Sequence, residues 1–127
     1  MTKFDPHTAT QQELRDWLAE QDGWAKVKDV YGGDAWRKRS LLHDPHSNWS
    51  HPYPRTLDGA AAALPEGMRA ERRYCEHMSR WTWAVLEQMP SDVWLYRVSW
   101  VPDTGDRITD EYRLACLARV AMKEKAQ

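Results

Sequence analysis

Phenylalanine is nearly missing from this chain, with one residue, Phe4, among 127, whereas tryptophan occurs eight times and tyrosine five. Cysteine is scarce as well: the two, Cys75 and Cys116, lie in differently patterned segments with no motif around either, which favours two reduced thiols over a disulfide framework. No hydrophobic run approaches the length of a membrane span, and the opening residues MTKFDPHTATQQ lack the basic-then-apolar order of a secretory signal, so the expected setting is cytoplasmic, without a membrane. The net charge of −1 excludes a generally basic coat for nucleic acid and an acidic tail, leaving only local patches to matter. Glycine is sparse, and Gly32–Gly33 stand alone rather than in a phosphate-cradling loop.

What is present reads as one domain over residues 1–127, long enough to bury a core without metal or disulfide. Thr10 with Glu13 forms a capping box, Leu14, Trp17 and Leu18 follow at helical spacing, and Gly23 ends a helix over residues 10–22. Trp24–Val30 and Ala35–Leu42 read as weak strands around the glycine pair, and residues 43–55, with three prolines and three histidines, as an ordered loop. Thr56 caps a helix through Ala60–Ala63 to Leu64, whose alanine face suits close approach to a sheet, and Pro65 and Gly67 close it. In residues 68–89 two patterns compete. Tyr74, Met78, Trp81 and Val85 fit a helical stripe, while Trp81, Trp83 and Val85 fit one face of a strand; two strands near 68–76 and 80–88 are favoured over one long helix.

The run DVWLYRVSWV from Asp92 to Val101 is apolar on both alternating faces, Trp94, Tyr96, Val98 and Trp100 on one and Val93 and Leu95 on the other, which predicts cover above and below. Thr109 then caps a closing helix with Leu114, Leu117, Ala118, Ala121 and Met122 on one stripe. The expectation is an α+β fold, a three-layer α/β/α sandwich with a mainly antiparallel sheet and about three helices, its indole rings chiefly core filling.

The order TLDGAAAALPEG from Thr56 to Gly67, a tryptophan-bearing sheet, and ITDEYRLACLARVAM from Ile108 to Met122 resembles the bacteriophage "ABA sandwich" domain of small phage and prophage proteins. The matching residues include Thr56, Asp58, Leu64, Pro65, Gly67, Thr109, Tyr112, Arg113, Leu114 and Ala118. The resemblance implies a three-layer domain of phage or prophage origin and transfers no catalytic residue.

His43, Asp44, His46 and His51, with Cys75 and His77, allow a metal site to be drawn, but the spacing lacks a clean ligand pair and exposed loop histidines are favoured. Cys75 beside His77 lacks an arranged base and anion hole, and no carboxylate pair is placed together by sequence, so no enzyme, metal or cofactor is expected. Arginine next to aromatic residues is the feature that suits binding: Arg37 and Arg39, then Arg69, Arg72, Arg73 and Arg80 with Tyr74, Trp81 and Trp83. Its competitor is a charged edge strand with arginine stems lying over rings. The functional expectation is a non-enzymatic binding protein, a monomer or homodimer, with Arg37, Arg39, Arg72 and Arg73 as anion contacts and Trp49, Trp81 and Trp83 as stacking anchors. Its partner is a host defence protein or a phosphate-bearing small ligand; nucleic-acid binding and self-association are the alternatives.

Overall fold

The structure, a computed structural model, describes residues 4–126. Helix α1 (Gln11–Gln21) starts at the expected capping box: the Thr10 hydroxyl accepts from Glu13 N at 3.2 Å and the Glu13 carboxylate from Thr10 N at 3.0 Å. A hairpin of β1 (Trp24–Lys28) and β2 (Asp34–Lys38) follows, ending in a 3-10 turn, Arg39–Leu41, where the sequence pattern had extended the strand. Helix α2 (Leu57–Ala63) is capped by Thr56, and β3 (Met68–Cys75), β4 (Arg80–Gln88) and β5 (Trp94–Pro102) form an antiparallel meander, so residues 68–88 are two strands.

Helix α3 (Arg107–Ala126) begins two residues before Thr109. The carboxylate of Asp106, not the Thr109 hydroxyl, caps it, accepting from Thr109 N at 3.1 Å and from the Thr109 hydroxyl at 2.7 Å. This helix is central. Leu114, Leu117 and Ala118 meet Trp83, Val85 and Val101 of the sheet, while Tyr112, Ala115 and Cys116 meet Leu14, Leu18, Ala60 and Ala63. The alanine face of α2 therefore abuts α3, and it does so closely: a Cβ at Gly59 would lie 2.6 Å from the Tyr112 hydroxyl, which donates to Pro54 O at 2.5 Å.

The α+β class, the antiparallel pairing and the three α-helices are as expected; the strands form two sheets, β1–β2 and β3–β4–β5. Cover for the Asp92–Val101 run is not two-sided. Nor does the run keep one alternation: Val85 pairs with Val98 and Leu86 with Tyr96, so Arg97 is an extra residue that turns Val98 to α3 with Val101, whereas Tyr96 is 47% and Trp100 61% exposed. Ring area on both faces of a strand does not distinguish a doubly covered strand from one whose second face is open.

The loop of residues 43–55 is ordered by specific bonds. Trp49 pairs with Trp36 through both backbone N–H groups (2.8 and 2.9 Å), Arg15 Nε donates to Tyr53 O at 2.8 Å, and His51 Nδ1 accepts from Tyr53 N at 2.9 Å. The last contact fixes the His51 tautomer, so Nε2–H donates to Asp16 at 2.8 Å.

Candidate functional site

Strand alternation divides the arginines of β3. Met68, Ala70, Arg72 and Tyr74 share the face toward α3; Arg69, Glu71, Arg73 and Cys75 share the opposite, open face. Arg72 is committed to structure: its Nη2 donates to Asp103 at 2.7 Å, its guanidinium lies 4.2 Å from the Trp81 ring, and Trp83 Nε1 donates to the same carboxylate at 3.2 Å. The Arg72 guanidinium holds the Asp103 carboxyl down at about 2. Beside it Asp110, fully buried, accepts from Thr104 N at 3.0 Å and the Thr104 hydroxyl at 2.6 Å, with burial pushing its carboxyl up. Sequence reasoning did not bring these aspartates together, and they serve to pin the turn from β5 into α3. A cleft of about 480 Å³ between Ala70, Arg72, Trp83 and Arg107 lies there, with Arg72 and Asp103 already paired.

Arg73 points the other way, across small Ala84, to lie 4.9 Å from the Tyr96 ring, with Glu71 Oε1 3.3 Å from its Nε. Arg69 stacks likewise on Trp94 at 4.4 Å. The other carboxylate oxygen, Glu71 Oε2, is buried, with no donor among the described residues.

At the end of this face β5 bulges. Trp83 pairs with Val101 and Val85 with Val98, so Ala84 alone opposes Ser99 and Trp100, and Trp100 takes φ +65°. A bulky residue in that region stores roughly 1–3 kcal/mol of strain. The bulge turns the indole outward and opens a pocket of about 260 Å³, floored by Ala84, walled by Tyr96 and Trp100, and edged by Arg73, Thr82 and Ser99. That volume lies just under the range for whole drug-sized ligands and suits a single flat ring.

Of the seven expected site residues, only Arg73 is here. Trp83 is buried, and Trp81 packs edge-on against Tyr74 on the other face. Arg37, Arg39 and Trp49 belong to the hairpin region: Arg37 is tied to Asn48 Oδ1 (2.6 and 2.8 Å) and Leu42 O (2.5 Å), Arg39 is exposed, and Trp49 meets Trp24 edge-on. Tyr96, Trp100, Ala84 and Ser99 were missed as site residues because their aromatic members read as core. The histidines do not converge: His43 and His46 are exposed, His51 is bonded to Asp16, and among the described residues no group of three His, Cys, Asp or Glu side chains could hold a metal ion. Both cysteines are free. Among the described residues no helix is long and apolar enough to cross a membrane.

Comparison with family models, curated proteins and solved structures returned no match.

Proposed function

We propose that this chain is a binding protein whose open sheet face takes a nucleotide, free or within a single strand, with its base between Tyr96 and Trp100 and its phosphate on Arg73. The observation that carries the reading is the pocket: a ring-sized slot with two aromatic walls, a small floor and one guanidinium at its rim, kept open by a strained bulge. Aromatic faces stack on any base and a guanidinium fork pairs with phosphate oxygens, so the combination fits a flat ring joined to an anion better than either alone. Taken with the resemblance to small phage domains, the role is sequestration of a nucleotide signal in the host cell. The competing reading, a host protein as partner, predicts no response to nucleotides.

The test is calorimetric titration with adenosine and uridine monophosphates. R73A and A84L, the second filling the floor without changing charge, should each weaken binding about tenfold or more. R72A alters the same charge on the opposite face, and should leave affinity within about twofold while lowering stability by roughly 1 kcal/mol. Equal weakening by R72A and R73A would show that net charge, and not this face, binds.

A further inference from the structure

Resting on that reading, we infer that the ligand of the open face is a phosphate-linked single strand rather than a mononucleotide, entered by one base at Trp100 and followed by a phosphate track over Arg73 and then Arg69. The pocket, about 260 Å³, holds one ring and has Arg73 in its lining, so a chain attached to that ring and drawn by the guanidinium runs out over the sheet. Two equivalent supports lie on that path: the Arg73 guanidinium stacked on Tyr96 and the Arg69 guanidinium stacked on Trp94. Each guanidinium is held over its ring, and the donors not facing the ring, or in Arg73 the Nε beside Glu71, are left to reach a phosphate.

Spacing fits a polymer. The guanidinium groups lie over rings two apart on β5, Tyr96 and Trp94, so they are separated by roughly 7 Å along the strand, a spacing that successive phosphates of one strand can meet and a lone phosphate cannot. A mononucleotide in the pocket reaches Arg73 only; a trinucleotide reaches both. Glu71, between them, is the acidic residue of this row. Its side chain is 34% exposed, with one oxygen within 3.3 Å of Arg73 Nε and the other buried, so it braces Arg73 from the sheet side. Arg80, exposed at the start of β4 on the same face, adds a positive charge near the Arg73 end.

The experiment is a length series. Thymidylate and uridylate oligomers of one, three and six nucleotides are titrated against the wild-type chain, R69A and R73A, at several salt concentrations. In at least one sugar series, affinity should rise about tenfold from one to three nucleotides and little beyond that. R73A should weaken every length, whereas R69A should leave the mononucleotide unchanged and remove most of the gain at three. The log–log salt slope for the trinucleotide should be about −1.4, falling to about −0.7 in R69A, at roughly −0.7 per phosphate contact on a single strand. Mononucleotide binding with no length step in either series, or an R69A effect equal at all lengths, would overturn this inference and leave the pocket reading standing. No binding at any length would overturn both.

Discussion

Trp100 is where the binding account and the folding account make opposite demands, and exchanging it for alanine or glycine separates them. Both substitutions delete the same indole. They lose the same partial burial, since the ring is already 61% exposed, and the same stacking surface. They differ in backbone: at φ +65° alanine retains a left-handed penalty of roughly 1–2 kcal/mol that glycine does not have. Against this, glycine gives back roughly 0.5–1 kcal/mol through its more flexible unfolded chain. The balance favours W100G over W100A by about 1 kcal/mol, or about 4 °C in melting temperature for a chain of this size. Within ordinary strands the order is the reverse. Both variants should bind nucleotide more weakly by ~5- to ~150-fold, the equivalent of the ~1–3 kcal/mol that one base–aromatic stack contributes. Thermal denaturation followed by circular dichroism gives the first comparison and calorimetric titration the second. If W100A is as stable as W100G the strained bulge is wrong, and if both variants bind as the parent does, Trp100 is no wall of the site.

G59A should destabilise the chain despite the usual helix gain of ~1 kcal/mol. The added methyl meets the Tyr112 hydroxyl and Pro54 O, and overpacking costs roughly 1–3 kcal/mol, so denaturant titration should show a lower midpoint, and a raised one would refute the close α2–α3 contact. Stability should also fall on acidification through His51. Burial lowers its folded pKa below the ordinary 6.5, despite the opposing bond to Asp16, so below that pH the unfolded chain takes up the proton first. This contribution is complete above pH 6.5 and lost as pH falls from there through the folded pKa; H51Q should flatten that part of the curve, and an unchanged curve would contradict the buried neutral ring. In the native state a thiol reagent should modify half-buried Cys75 and spare Cys116, whose thiol burial pushes up to about 12; fast labelling of both would place Cys116 elsewhere than in the core.

Element boundaries were legible where local chemistry sets them: the Thr10–Glu13 box, the Thr56 cap and the two strands at 68–75 and 80–88 lie where residue spacing puts them, whereas the end of β2 and the Asp106 cap of α3 do not. The site was not, for a related reason. Spacing tells which residues share a face only while the register is regular, which it is not at Arg97 or at Ser99–Trp100, and never whether that face is covered, so Trp94, Tyr96 and Trp100 read as filling when two of the rings carry arginines and the third stands open. Alternation did separate Arg72 from Arg73, yet grouping them by sequence proximity treated two faces as one patch. The bulge at Ser99–Trp100 has no glycine, asparagine or proline to announce it, and tertiary register alone produces it. Asp103 and Asp110, seven positions apart across a turn, meet because Thr104 bonds back to Asp110.

The most direct measurement is amide chemical-shift mapping of the labelled chain during titration with a thymidylate or uridylate trinucleotide. The account predicts shifts confined to Arg69, Arg73, Ala84, Tyr96, Ser99 and Trp100, with Trp49, Arg39 and α1 unmoved. Shifts centred on the hairpin and Trp49, or on the cleft by Arg72 and Arg107, would contradict it.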